Sequence, residues 1–141
     1  MVIERVALLV GLAALAMAVA WCLRRRTPAA APTPTNWEVP AQLDRANFTR
    51  PDAPWLVAVF SSSTCLSCQG TWAKVQHLES SAVAVQEVEA VRDKALHERY
   101  RVDAVPLLVV ADHEGVVRAH FLGEPTATDL WGTVAELRGH P

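Results

Sequence analysis

The apolar positions of this chain form one long run near the N-terminus and several short runs after residue 54. Residues 6–23 carry no charged or strongly polar side chain. The later runs are of strand length and alternate with segments in which apolar residues recur at helical spacing. This pattern predicts one N-terminal apolar helix followed by an α/β domain.

The predicted elements of the domain alternate between helix and strand. The segment "WLVAVF" is apolar at every position, which is typical of a strand buried on both faces. "DHEG" is a turn sequence that joins the last two strands as a hairpin. Thr126 and Asp129 form a capping-box-like start for the final helix. The predicted order is helix 41–48, strand 55–60, helix 65–79, strand 82–89, helix 93–100, strand 106–111, strand 116–123 and a helix after residue 126, with an early parallel crossover and a late hairpin.

The N-terminal run is long enough to cross a bilayer. As a helix, residues 6–23 would extend about 27 Å, close to the thickness of the hydrocarbon core. Two alternatives remain open, since residues 18–20 read A-x-A, as at a signal-peptidase site, and Cys22 is a candidate for lipidation. The predicted organisation is an anchor with a basic flank at 1–26, a Pro/Ala/Thr-rich linker at 27–36 that acts as a semi-rigid spacer, and one domain at 37–141.

Charges beside the run predict its orientation. Arg24, Arg25 and Arg26 follow it, whereas Arg5 precedes it with Glu4 alongside. Because positive residues favour the cytoplasmic side, we expect a single-pass membrane protein whose domain is cytoplasmic. The extracytoplasmic side is the alternative, since a long translocated domain can override this preference. The net charge is −2, and the basic residues form no extended patch, so no nucleic-acid partner is predicted.

Cys65 and Cys68 are the candidate reactive residues. The sequence places them between a buried strand and a helix, with two residues between them. That spacing brings both sulfurs to one side of the first helical turn. The unpaired N–H groups and the dipole at a helix N-terminus favour a thiolate on the first cysteine, and the second is close enough to form a disulfide with it.

A C-x-x-C pair can also form half of a structural zinc site. A structural zinc site needs about four ligands, yet the chain has no second C-x-x-C and its five histidines are scattered. Neither a metal nor a cofactor is therefore predicted. Two inert buried thiols are the remaining alternative.

Three segments resemble the thioredoxin family. They are "PWLVAVFSSSTCLSCQ", "RYRVDAVPLLVV" and "DHEGVVRAHFLGEPT", and the resemblance extends over roughly residues 40–138. With its anchor and spacer, the whole chain is similar to membrane-tethered thioredoxin-like proteins of the TlpA sort. The resemblance implies a thioredoxin fold, a central mixed sheet flanked by helices, preceded here by one transmembrane helix.

The resemblance also implies roles for individual residues. Cys65 would be the attacking thiolate and Cys68 the resolving thiol. Thr64, Val105 and Pro106 would bind substrate, with Pro106 in the cis form opposite Cys65 and Val105 offering backbone groups to a substrate strand. The implied activity is thiol–disulfide exchange with protein thiols and disulfides as partners.

The chain departs from the family pattern close to the cysteines. Thr64 replaces the usual Trp, and Leu66 and Ser67 replace Gly-Pro. Val59 occupies the position of a buried Asp that accepts a proton, and Glu87 falls near a usual Lys. The predicted function is a membrane-anchored thiol–disulfide oxidoreductase, and the alternatives are a thioredoxin-fold scaffold without turnover and a thiol peroxidase.

Overall fold

The computed structural model describes Arg5, residues 11–19 and residues 38–139. The chain divides into two units, Met1–Thr35 and Asn36–Pro141. In the first unit, residues 11–19 are helical and exposed. No helix within the described ranges combines the length and the apolar character needed to span a membrane. The predicted anchor at 6–23 lies partly, and the linker at 27–36 wholly, outside these ranges, so both stay predictions.

The second unit is built on a four-stranded mixed sheet with the order β2-β1-β3-β4. Strand β1 pairs parallel with β2 and antiparallel with β3, which pairs antiparallel with β4. This arrangement confirms the predicted early crossover and late hairpin. The elements are β1 (Trp55–Ser61), α1 (Leu66–Val75), β2 (Val83–Glu89), α2 (Lys94–Arg99), β3 (Leu107–Ala111), β4 (Val117–Leu122) and α3 (Ala127–Gly139).

Two predicted helices are shorter than expected. Only the 3₁₀ turn Arg45–Asn47 forms within 41–48. The reason is tertiary, because the backbone N–H of Leu43 donates to the Gly115 carbonyl at 2.8 Å and Gln42 forms a β-bridge with Val116. The segment thus begins as an extension of the sheet. The helix predicted at 65–79 is α1, followed by a 3₁₀ turn at Gln76–Leu78.

The core lies on both faces of the sheet. On one face, Val57 and Val59 of β1 cluster with Val75 of α1 and Leu130 of α3. On the other face, Phe60 and its neighbours cluster with the segment around Phe48, and Leu96 and Tyr100 pack against them. Strand β1 is therefore buried on both sides, as its continuous apolar sequence predicts.

Polar groups define the turns and the last helix. Asp112 accepts hydrogen bonds from the backbone N–H groups of Glu114 and Val116 and from Arg118. Burial raises the pKa of Asp112, but these hydrogen bonds outweigh it, so the pKa is lowered overall.

The Thr126 hydroxyl accepts from the Asp129 N–H at 3.1 Å, which confirms the predicted cap of α3.

Candidate redox site

Cys65 and Cys68 lie where the carboxyl end of β1 leads into α1. Cys65 is the N-cap residue of α1, and Cys68 lies in its first turn. The two sulfurs are joined by a disulfide that links Cα atoms 5.3 Å apart. The structure therefore brings together the two residues that the sequence singles out, at the helix N-terminus where they were predicted.

The two sulfurs differ in exposure and in hydrogen bonding. Cys65 is half-buried, whereas Cys68 is only 1% exposed. The Cys65 sulfur accepts a hydrogen bond from the Cys68 backbone N–H at 3.2 Å and lies 3.4 Å from the Ser67 hydroxyl. Donors of this kind favour a thiolate over a thiol. Cys65 is thus the more exposed residue of the pair, and these donors would favour a thiolate on its sulfur in the reduced protein.

In the reduced chain with Cys22→Ser and Cys68→Ser, we expect the pKa of the Cys65 thiol to lie at least about one unit below the ordinary value of about 8.5. The rate of alkylation by iodoacetamide against pH gives this value directly. The matched variant is Cys22→Ser with Cys65→Ser, in which the buried Cys68 should react more slowly at every pH. A Cys65 pKa at or above the ordinary thiol value would show that the helix N-terminus does not stabilise the Cys65 thiolate.

The Val105–Pro106 peptide bond is cis, as predicted. Phe60 of β1 faces Leu107 of β3 in the antiparallel register, so Pro106 lies at the end of the sheet from which the cysteine segment starts. The Pro106 carbonyl accepts a hydrogen bond from the Gly123 N–H at 2.9 Å, which ties this segment to the end of β4.

The other predicted binding residues lie at the surface or near it. Thr64 is exposed beside Cys65, and its hydroxyl lies 3.2 Å from that of Ser62. Val105 is half-buried and Pro106 is buried. Leu66, between the cysteines, is 80% exposed and was not predicted as a binding residue. An apolar side chain this exposed beside the disulfide is available for contact with other molecules.

Position 59, where the thioredoxin pattern has a buried Asp, carries no carboxylate in this chain. Val59 is fully buried among aliphatic side chains. Its register partner on β2 is Glu87, which fixes a register that the sequence leaves uncertain. Glu87 is half-buried, and one of its oxygens accepts a hydrogen bond from the buried Ser61 hydroxyl at 2.9 Å.

Glu89 is a second carboxylate near the cysteine segment that sequence reasoning missed. It accepts hydrogen bonds from the backbone N–H groups of Ser63, Val91 and Arg92. The bond from the Arg92 N–H is the main reason that the pKa of Glu89 is lowered. Its place at the end of a strand and directly before a turn is the signal that could have indicated this capping role. Glu89 thus links the loop before Cys65 to the turn after β2.

A further contact that the sequence does not reveal fixes the outer side of α1. Lys74 pairs with Glu124 at 2.5 Å and donates to the Pro125 carbonyl at 2.9 Å. Gly70 makes this contact possible, because a Cβ atom at that position would overlap the Glu124 carboxylate. The loop between β4 and α3 is therefore held against the helix that carries Cys68.

The histidines do not gather around the cysteines. His97 is buried, and its ring lies against Phe60 and within hydrogen-bond distance of the Val88 carbonyl. His77, His113 and His120 are exposed. Within the described residues, no three His, Cys, Asp or Glu side chains are grouped so that they could hold a metal ion.

This chain matches known proteins by structure and not by sequence. No protein-family model matches the chain, and no curated protein sequence matches it. Among solved structures, a variant of a thioredoxin from Halobacterium salinarum matches with a TM-score of 0.54 and 24% identity over 61% of this chain and 76% of that one. The germline-specific thioredoxin Deadhead of Drosophila melanogaster matches with a TM-score of 0.54 and 26% identity over 62% and 84% of the two chains.

A third match, the thioredoxin of Fasciola hepatica, has a TM-score of 0.53 and 24% identity over 61% of this chain and 83% of its own. Together with the mixed sheet, these matches show that the chain has a thioredoxin-like fold. It carries a Cys65-x-x-Cys68 pair at disulfide distance, an arrangement consistent with thiol–disulfide exchange.

Proposed function

We propose that this protein is a membrane-anchored thiol–disulfide oxidoreductase that acts on protein thiols and disulfides. The observation that carries the proposal is the Cys65–Cys68 pair at the start of α1, with one sulfur accessible and hydrogen-bonded and the other enclosed. An inert structural disulfide would need neither this difference in access nor a helix N-terminus behind the outer sulfur.

The chemistry follows from the two sulfurs. In the reduced protein, the Cys65 thiolate attacks a substrate disulfide, whose far sulfur leaves as a thiolate and takes up a proton. The Cys68 thiol then loses its proton, and its thiolate attacks the Cys65 sulfur of the mixed disulfide. The second substrate sulfur leaves, and two electrons have passed from the protein to the substrate. The reverse sequence oxidises a substrate dithiol.

The substrate site is proposed to be the surface formed by Thr64, Val105 and Pro106. Thr64 is exposed beside Cys65, and the 105–106 segment lies at the same end of the sheet. Val105 would offer backbone groups to an extended substrate strand. Leu66 adds an apolar contact, which suits a partner with an apolar residue next to its cysteine.

Membrane anchoring is part of the proposal and rests on sequence. The apolar run at 6–23 and the Arg24, Arg25 and Arg26 cluster support a single-pass anchor of the kind found in TlpA-type proteins, with the domain in the cytoplasm. A reporter enzyme that works only outside the cytoplasm, fused after Pro141, should be inactive in cells. An active reporter would reverse the orientation.

Two assays of the reduced full-length Cys22→Ser chain test this function, one with insulin disulfides and one with hydrogen peroxide as the oxidant. We expect it to catalyse the reduction of insulin disulfides by dithiothreitol and to show little turnover with hydrogen peroxide. Turnover with peroxide alone would indicate a thiol peroxidase, for which Thr64 beside Cys65 is the supporting feature. Turnover with neither would indicate a scaffold.

A further inference from the structure

In the proposed reaction, the thiol of Cys68 must give its proton to another group. Cys68 is only 1% exposed, so bulk water has little access to its sulfur. It must nevertheless lose a proton before it can attack the mixed disulfide on Cys65. The buried residue expected to accept a proton is replaced by Val59, which cannot do so. Another group on the α1 side of the sheet is needed.

Strand alternation identifies which side chains lie on that side. Val57 and Val59 of β1 and Val83 and Val85 of β2 share one core cluster with Val75 of α1. Because side chains alternate along a strand, Ser61 and Glu87 continue these two rows on the same face. Both lie towards the carboxyl ends of the parallel strands, the end from which the cysteine segment departs.

Hydrogen bonding distinguishes Glu87 from Glu89, the next carboxylate in the same row. Glu89 is occupied by three backbone N–H groups, which stabilise its charged form and make it a weak base. Among the described residues, Glu87 receives a single side-chain hydrogen bond, from the Ser61 hydroxyl at 2.9 Å. Ser61 is itself 1% exposed, so this bond ties one oxygen of the half-buried Glu87 carboxylate to a buried group of β1.

We propose that Glu87 accepts the proton of Cys68 in the step that resolves the mixed disulfide, and that Ser61 is the positioning residue for its carboxylate. The inference rests on the proposed function. The proton leaves the Cys68 sulfur for Glu87, and the resulting thiolate forms the bond to the Cys65 sulfur. The substrate sulfur departs with the electron pair of the broken bond.

Charged side chains also lie in the turn after β2 and on α1. Arg92, in the turn after β2, donates to the backbone carbonyl of Glu87 and pairs with Asp93. Glu89 lies two residues further along the same strand. On α1, Lys74 is engaged by Glu124. Arg92 is therefore the cation nearest in sequence to Glu87, and its guanidinium is shared with Asp93.

The test follows both sulfurs separately in the full-length Cys22→Ser chain. The reduced protein is mixed with dithiobis(nitrobenzoate) in a stopped-flow instrument, and the released chromophore is recorded. Attack by Cys65 gives a first phase that depends on reagent concentration. Attack by Cys68 on the mixed disulfide gives a second phase that does not. Glu87→Gln retains an oxygen that can accept from Ser61 but cannot take up a proton.

In Glu87→Gln, we expect the first phase to be unchanged and the second to slow at least about a hundredfold at neutral pH, the lower end of what general acid–base catalysis contributes. The second phase of the variant should then rise about tenfold per pH unit below the thiol pKa of about 8.5, because only hydroxide remains as base. The wild-type phase should depend less on pH. Ser61→Ala should slow the second phase by a smaller factor.

The matched control is Glu98→Gln, which removes an exposed carboxylate on α2 that pairs with Lys94. It should leave both phases unchanged. A second phase in Glu87→Gln that is as fast as wild type, or faster, would overturn the inference while leaving the proposed function intact. Absence of the first phase in wild type would instead overturn the proposed function. Circular dichroism of each variant confirms that a slow phase does not reflect unfolding.

Discussion

Replacing Cys65 with Ser is expected to lower the rate of insulin disulfide reduction at least about a thousandfold, as loss of a covalent nucleophile does in other enzymes. A hydroxyl cannot exchange with a disulfide, and Cys68 is too enclosed to take over the attack. The measurement is the steady-state rate of the full-length Cys22→Ser chain with and without the substitution.

Replacing Cys68 with Ser should leave the first attack on the substrate disulfide intact and block the second step, which releases the substrate. Cys65 remains accessible and should still attack, but no thiol is left to release the partner. The variant should therefore accumulate a mixed disulfide on Cys65, visible as a mass increase that dithiothreitol removes. The double variant Cys65→Ser, Cys68→Ser is the control; both variants carry Cys22→Ser, and the control should form no adduct. Substantial turnover by Cys65→Ser would contradict the assignment of the attacking sulfur.

The substitution Val59→Asp is expected to have the largest effect on stability. Val59 is fully buried among aliphatic side chains, so a carboxyl group there is deprived of water. We expect a loss of at least about 2 kcal/mol in the free energy of unfolding. Burial would raise the folded-state pKa of the new carboxyl group above its unfolded value of about 3.9. The loss should therefore grow as pH rises from the unfolded to the folded pKa, and be smallest in acid.

Denaturant unfolding at several pH values measures this effect, with Val59→Asn as the uncharged control. Val59→Asn should also destabilise the protein, but by an amount that does not change between acid and neutral pH. An Asp penalty that stays constant over this range would mean that the position is solvated, contrary to the structure.

The same substitution also tests the chemistry. If proton loss from Cys68 limits resolution, an acid at position 59 should restore the second stopped-flow phase in the Glu87→Gln background. Position 59 is the register partner of position 87, so either carboxylate lies on the correct face of the sheet. No change in a stably folded Val59→Asp, Glu87→Gln chain would show that proton transfer is not limiting.

Much of the fold is readable from local patterns. The continuous apolar run gives β1, the Pro-bounded run gives β3, and Thr126 with Asp129 marks the start of α3. Each of these signals lies within a few residues of the element it predicts, because burial and capping are local consequences of the sequence. The cysteine pair is found in the same way, since its spacing and its place after a strand define its geometry.

What local patterns do not reveal depends on contacts between distant segments. The helix expected at 41–48 gives way to pairing with the Gly115 turn, more than 70 residues later. The contact of Glu124 with Gly70 and Lys74 likewise joins separate elements. Glu87 could be suggested from the sequence, but its alignment with Val59 and its bond to Ser61 require the register of β1 against β2.

The most direct test of thiol–disulfide exchange by Cys65 and Cys68 follows the thiols of both molecules through one turnover. Reduced full-length Cys22→Ser chain is mixed with an equal amount of a protein containing one exposed disulfide, quenched with an alkylating agent and analysed by peptide mass. We expect the substrate to gain two thiols while Cys65 and Cys68 lose theirs and become joined by a disulfide, one substrate disulfide for each cysteine pair. A substrate that remains oxidised, or that is reduced while Cys65 and Cys68 both stay alkylatable, would contradict it.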